Sequence, residues 1–188
     1  KIEKLENDVD VLNEKISIFL KESCKINSAE SNSNDFSRMV DSESVRDFSV
    51  FVLSKSSSDP VTAIYDYVRS SIRFVDDPGS EYMALPCETI LAGGGDCEDH
   101  AILLASMLES VGIDAVILSI PNEHTMVGVV SDNIDGLCER FLHMPYKGKD
   151  IVIADTTFSN CIGKVSEEYV EYDGDEWDWK KNPVFIDV

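Results

Sequence analysis

The sequence has few basic residues and no closely spaced cysteine pair. Its 188 residues contain 16 lysines and arginines against 36 acidic residues, a formal net charge of −20. Such a surface repels phosphate backbones and anionic membranes, so we expect no nucleic acid partner. High negative charge can also serve only to keep a protein in solution. None of the five cysteines forms a CxxC pair, which argues against zinc ribbons and thioredoxin-type redox sites.

The sequence also lacks any apolar run long enough to span a bilayer. Its 43% hydrophobic content is typical of a soluble globular domain. The odd number of cysteines leaves at least one unpaired or bonded between chains. The sequence does not decide whether the others form disulfides. The first residue is Lys1 rather than methionine, so we expect a fragment of a longer protein, whose compartment the sequence does not reveal.

The N-terminal residues carry a heptad pattern. Apolar residues recur there at alternating spacings of three and four: Ile2, Leu5, Val9, Leu12, Ile16 and Phe19. This pattern predicts a coiled-coil-like helix over residues 1–24, with residues 1–23 as a candidate surface for homo-oligomerisation. Packing of this short helix on the globular domain is the alternative. Residues 25–41 are predicted to be a polar linker, and residues 42–188 one folded domain.

Helical patterns precede strand patterns within residues 42–188. Helices are predicted over about 42–55, 60–72, 86–91 and 97–111. Strands are predicted over about 115–120, 124–130, 140–146, 150–155 and 183–188. The acidic segment 171–176 is interpreted as solvated surface. This order predicts an α+β fold with an antiparallel sheet.

Cys97 follows three glycines and begins the predicted helix 97–111. The glycines favour a tight turn, and a thiol on the first helical turn experiences the positive end of the helix dipole. That position favours the nucleophilic thiolate. The alternative is a small core cysteine, because Cys97 shares an apolar stripe with Ala101 and Leu108.

A nucleophilic thiol needs a base and a group that orients the base. His124 opens a predicted strand, and Asp155 ends another whose preceding residues are apolar, so both strand ends are suited to this role. Either residue alone is equally compatible with an ordinary strand-end or turn role. His100, beside Cys97 on the helix, is interpreted as structural, and His143 has no obvious partner.

Acidic residues flank Cys97 and oppose its ionisation. Asp96, Glu98 and Asp99 suit a helix N-terminus, where negative charge is stabilising. Their alternative role is to bind a hard cation such as calcium, which would offset their charge.

Several of these motifs, in this order, resemble the transglutaminase-like superfamily, in particular its archaeal and bacterial members. They are Gly95-Asp96-Cys97-Glu98-Asp99-His100-Ala101, Gly112-Ile113-Asp114-Ala115, His124 opening a strand, and Ala154-Asp155-Thr156-Thr157, with Asp77-Pro78-Gly79 and Pro86-Cys87-Glu88-Thr89 upstream. The resemblance covers about residues 60–165. It implies a papain-like transglutaminase core, in which the cysteine helix packs on an antiparallel sheet that carries histidine and aspartate.

The resemblance also implies a catalytic set. Cys97 would be the nucleophile, His124 the base and Asp155 its orienting partner. The Cys97 backbone N–H would stabilise the oxyanion, with Tyr82 as a candidate second donor. No cofactor is required. Asp96 and Glu98 are candidate calcium ligands, as in bacterial transglutaminase-like cysteine proteinases, and Asp99 is a weaker candidate.

The implied function is hydrolysis of peptide or isopeptide bonds in a peptide or protein substrate through a thioester. An acyl transferase that crosslinks proteins through glutamine is one alternative, and a non-catalytic binding or assembly module is another. The chain lacks the large flanking β-domains of the eukaryotic crosslinking enzymes, which argues against crosslinking. Membrane-anchored relatives make the extracytoplasmic part of a membrane-anchored parent one candidate setting for this domain.

Overall fold

A computed structural model describes residues 35–77, 82–174 and 177–188. The predicted coiled-coil-like helix over 1–24, and the homo-oligomer that depends on it, lie outside these ranges. None of the helices within them is long and apolar enough to cross a membrane.

Five helices form one side of the domain. They are α1 (Phe36–Met39), α2 (Ser42–Lys55), α3 (Pro60–Ser71), α4 (Pro86–Ala92) and α5 (Cys97–Ser110). Aspartate side chains cap several N-termini: Asp41 accepts from the Ser44 N–H and Asp59 from the Thr62 N–H, each at 3.1 Å. These bonds satisfy backbone donors that the first helical turn leaves unpaired.

Nine strands complete the described structure. They are β1 (Arg73–Phe74), β2 (Gly94–Gly95), β3 (Ala115–Ile120), β4 (His124–Val129), β5 (His143–Tyr146), β6 (Lys149–Ala154), β7 (Val170–Tyr172), β8 (Trp177–Trp179) and β9 (Val184–Asp187). Five of them form an antiparallel sheet in the order β5-β6-β4-β3-β9.

Helix α5 lies against one face of this sheet and is almost completely buried. Alternate residues of the central strands point to opposite faces, as the two-residue period of a strand requires. Ile117, Val127 and Val152 pack on the helical side, whereas Leu118 and Met126 pack on the far side. The α+β fold with the cysteine helix on an antiparallel sheet is therefore confirmed.

Two folded segments were not predicted from the sequence. Phe36 and Met39 of α1 are buried in the core, within the range assigned to the polar linker 25–41. Strands β7 and β8 pair as a hairpin, and Trp177 and Trp179 of β8 pack on the far face of the sheet. Residues 171–174 are exposed, in line with their interpretation as solvated surface, but the pairing of β7 with β8 was not predicted.

The cysteines divide into bonded and free. Cys138 and Cys161 form a disulfide with their Cα atoms 5.3 Å apart, and Cys87 is also disulfide-bonded. Within the part of the chain that the structure describes, Cys97 is the only free cysteine.

Candidate active site

Cys97 is the first residue of α5, directly after the N-cap residue Asp96. The Asp96 carboxylate accepts from the N–H groups of Glu98 at 3.1 Å and Asp99 at 3.4 Å. Gly95 fits here because a side chain would collide: an added Cβ would lie 2.5 Å from the Asp99 Cβ. The glycine therefore permits the close packing that sets the position of the cysteine.

His124 and Asp155 meet at the ends of two neighbouring inner strands of the sheet, β4 and β6. His124 begins β4 and Asp155 directly follows β6, and these strands pair antiparallel with Val127 opposite Ala154. His124 Nε2 lies 2.7 Å from Asp155 Oδ2. The two side chains are only 11% and 1% exposed, so the bond is shielded from water.

The second oxygen of Asp155 is held by the loop that follows it. Oδ1 accepts from the Thr157 hydroxyl at 2.8 Å, the Thr157 N–H at 3.0 Å and the Phe158 N–H at 3.2 Å. These donors fix the carboxylate so that Oδ2 alone faces the imidazole. A carboxylate held in this way selects one tautomer of its histidine.

The Cys97 thiol is close to the start of β4. The backbone of Thr125, the residue after His124, makes a hydrogen bond that lowers the pKa of the thiol. Two larger effects raise the pKa of the thiol and outweigh this bond. They are burial and a hydrogen bond to Glu98, whose Oε2 lies 2.9 Å from Sγ. In this arrangement the thiol is protonated at neutral pH.

Acidic crowding also affects the neighbours of Cys97. Burial, with the nearby charges of Glu98 and Asp99, raises the pKa of Asp96 to about 7. Burial raises the pKa of Asp99 to about 6, although its Oδ1 accepts from the Ala84 N–H at 2.7 Å. The N-terminus of α5 therefore carries more negative charge than its surroundings neutralise.

A cavity of about 440 Å³ opens at the cysteine. We refer to it as the Cys97 cavity; its lining includes Phe74, Asp96, Cys97, Glu98, Asn122 and Glu123. Ligand atoms of Asp96, Cys97 and Glu98 lie within 4.8 Å of one another. Carboxylate and amide oxygens are the ligands that calcium prefers, so the two carboxylates, with Asn122 nearby, suit a hard cation.

Tyr169 is a site residue that the sequence analysis did not identify. Its ring stacks on the His124 ring with centroids 5.2 Å apart and 8° between the planes. The Lys181 ammonium lies over the Tyr169 ring, 5.3 Å from its centroid, and pairs with Glu123 and Glu168. No motif signals this contact, since Tyr169 lies 45 residues beyond His124 in an acidic segment.

The other candidates lie elsewhere. Tyr82 donates its hydroxyl to Glu88 at 3.1 Å and lines a neighbouring cavity rather than the Cys97 cavity. His100 is buried and pairs through Nδ1 with the Thr156 hydroxyl at 3.1 Å. His143, for which the sequence offered no partner, lies 2.9 Å from Asp150 on the surface.

One family model matches the part of the chain that carries the cysteine and the histidine. Residues 49–134 match the family model of the transglutaminase-like superfamily. The match includes Cys97 and His124 and ends before Asp155. It confirms the resemblance that the motifs indicated, over somewhat less than half of the chain. A search of curated protein sequences found no significant match.

Similar solved structures come from bacteria. A presumptive cysteine protease from Cytophaga hutchinsonii is 16% identical, with a TM-score of 0.46 over 78% of this chain and 49% of that one. The chain thus spans about half the length of that protein. LapG from Legionella pneumophila, in a calcium-bound structure, is 20% identical, with a TM-score of 0.43 over 86% of this chain and 87% of that one. These values describe a loose overlap of the backbones.

Proposed function

We propose that this chain is a transglutaminase-like cysteine peptidase that hydrolyses peptide or isopeptide bonds through a thioester at Cys97. The observation that carries the proposal is the buried hydrogen bond between His124 Nε2 and Asp155 Oδ2, at the ends of β4 and β6 beside the cysteine. A free thiol at a helix start next to a histidine–carboxylate pair is the arrangement that thiol acyl transfer needs.

The first half of the reaction forms the thioester. Asp155 accepts a hydrogen bond from the Nε2–H of His124, which leaves the Nδ1 lone pair of His124 as the base. Nδ1 takes the thiol proton, and Sγ attacks the carbonyl carbon to give a tetrahedral oxyanion, which the Cys97 backbone N–H stabilises. The C–N bond then breaks as Nδ1–H gives its proton to the departing amine. Tyr82, the predicted second oxyanion donor, donates its hydroxyl to Glu88 in the structure, so no step is assigned to it.

The second half releases the acid. Nδ1 takes a proton from water, and the water oxygen attacks the thioester carbon. The C–S bond breaks, the carboxylic acid leaves, and the thiolate recovers its proton from His124. An amine in place of this water would give acyl transfer by the same steps.

Peptide profiling tests the proposal. We expect incubation with a proteome-derived peptide library to generate new N-termini, detected by mass spectrometry, and added primary amine to divert only a minor fraction of the acyl groups. Products that are mainly amine adducts would favour the acyl transferase instead. A library left unchanged, with and without calcium, would favour the non-catalytic module.

We also propose that calcium binds Asp96 and Glu98. The observation that supports it is the crowding of these carboxylates, whose ligand atoms lie within 4.8 Å of each other and of the thiol. Bound calcium would supply positive charge that offsets them. Glu98 would then be a weaker acceptor for the thiol proton, and His124 the stronger one.

Calcium should therefore raise the melting temperature of the wild-type protein. At about 100 times the Kd, the expected increase is about 5 to 10 °C, measured by thermal denaturation against a chelator-treated sample. Glu98→Gln removes one ligand charge and should abolish most of the increase.

Glu43→Gln is the matched control for this substitution. Glu43 occupies the first turn of α2, as Glu98 occupies that of α5, but it is exposed and lies outside the Cys97 cavity. Its substitution should leave the calcium response unchanged. A wild-type melting temperature that calcium does not move, or equal responses in both variants, would refute calcium binding at Glu98.

We further propose that the chain works in an extracytoplasmic compartment. The Cys138–Cys161 disulfide and the bonded state of Cys87 support this, because disulfides persist in oxidising compartments and are rare in the cytosol.

A further inference from the structure

A second cavity adjoins the Cys97 cavity, because Phe74 lines both. Its volume is about 350 Å³. We refer to it as the Arg69–Lys164 cavity, after the two cations in its wall. Arg69 lies in the last turn of α3, and Lys164 follows the Cys138–Cys161 disulfide in the chain. Two segments distant in sequence therefore bring positive charge to one hollow.

The charge of this cavity is the opposite of that of the chain. The sequence carries a net charge of −20, yet among the residues that the structure describes neither aspartate nor glutamate lines the cavity. Five of the eleven lysines and arginines that the structure describes are paired with carboxylates, and Arg69 and Lys164 are not among them: Arg38, Lys147, Lys149, Lys180 and Lys181. In a chain with a large excess of acid, two cations that face a hollow without a carboxylate need an explanation.

The polar groups of the wall are free to bind. Among the residues that the structure describes, the side chains of Arg69, Lys164 and Asn160 have no hydrogen-bond or ion-pair partner. Together they offer a guanidinium fork, an ammonium and an amide. All three are exposed at the cavity, so a ligand reaches them without desolvating a buried charge.

The other residues of the lining are neutral. His100 is 2% exposed, and its Nδ1 is held by the Thr156 hydroxyl. Burial lowers the pKa of His100, although a hydrogen bond with the backbone of Arg73 acts against this shift. The imidazole is therefore uncharged at neutral pH. Its buried Nε2 has no partner with normal hydrogen-bond geometry. The rim is aromatic, with Phe74 53% and Phe158 49% exposed.

We propose that the Arg69–Lys164 cavity is a binding site for an oxyanion, either a carboxylate or a phosphate group. Arginine binds both groups through paired N–H donors, and lysine adds a point charge. A ligand that joins such an anion to an apolar stem also fits the two exposed phenylalanine rings. The source is either a free oxyanion or an acidic side chain of a polypeptide that extends from the adjoining Cys97 cavity.

Calorimetric titration tests the proposal on the whole chain at constant ionic strength. One arm uses inorganic phosphate, and the other uses N-acetyl-glutamate amide, whose only charge is the side-chain carboxylate. We expect saturable binding in the millimolar range or tighter in at least one arm. Arg69→Gln and Lys164→Gln should each weaken it at least about tenfold, as the loss of a charged hydrogen bond does. Catalysis is not needed, so the result is independent of the proposed peptidase activity.

Arg46→Gln is the matched control, since Arg46 is an exposed helical cation outside the cavity. It should leave the affinity unchanged within about twofold. Binding of phosphate alone identifies a free-oxyanion site, and binding of the capped glutamate alone identifies a side-chain site. Absence of saturable binding in both arms, or equal losses in all three variants, overturns the proposal. If one cavity variant fails to fold, the other decides, because the two cations lie on separate segments.

Discussion

Asp155→Asn should lower kcat/KM for the most rapidly cleaved library peptide about ten-thousand-fold. Three donors from Thr157 and Phe158 converge on Oδ1, so the asparagine oxygen must occupy that position. The amide NH₂ then faces His124 Nε2, and the ring must carry its proton on Nδ1 to avoid two opposed donors. A protonated Nδ1 cannot accept the thiol proton. The peptide is assayed by initial rates with the melting temperature measured in parallel.

Asp150→Asn is the control for this experiment. Asp150 also pairs with a histidine, His143, at 2.9 Å, but both side chains are more than half exposed and lie away from the cysteine. The same chemical change there should leave kcat/KM unchanged. Activity of the Asp155 variant within about tenfold of wild type would mean that the pair does not orient a base.

Cys97→Ser should remove activity even more completely, by about ten-thousand-fold or more, because a serine hydroxyl is far harder to deprotonate than a thiol. The thiol bonds the Glu98 carboxylate and the backbone of Thr125, and a serine hydroxyl can make both hydrogen bonds, so the fold should tolerate serine. An unchanged melting temperature together with lost peptide cleavage separates a chemical from a structural role.

Alkylation of the wild-type protein supplies an independent measurement. Under non-reducing conditions, iodoacetamide should inactivate the enzyme as one carboxamidomethyl group is added at Cys97, located by peptide mass spectrometry. Cleavage that survives complete modification of Cys97, or a Cys97→Ser variant with wild-type rates, would disprove the nucleophile.

Much of the fold could be predicted because its local signals agree with its tertiary packing. Asp59 and Pro60 mark the start of α3, and the β-branched runs at β3 and β4 become the centre of the sheet. The short helix α1 and the β7–β8 hairpin were missed. Their stability comes from the burial of a few large side chains, Phe36 and Trp179 among them, in segments whose composition is polar.

The candidate site was predictable to a similar extent. The strand-end positions of His124 and Asp155 predict the contact that the structure contains. The hydrogen bond between Cys97 and Glu98 was not predictable, because it depends on a side-chain rotamer at a helix start where any acidic residue is favourable. The stacking of Tyr169 on His124 depends on the path of a distant segment, to which no spacing rule applies.

The Cys138–Cys161 disulfide has a practical consequence. The loop that it closes has a sequence separation of 23 and contains β5, β6 and Asp155. Closing a loop of this size lowers the entropy of the unfolded chain enough to stabilise the fold by about 3 kcal/mol. Thiol reductants are routinely added to keep a catalytic cysteine active. Here the same reductants would cut the covalent tether of the loop that carries the carboxylate partner of His124.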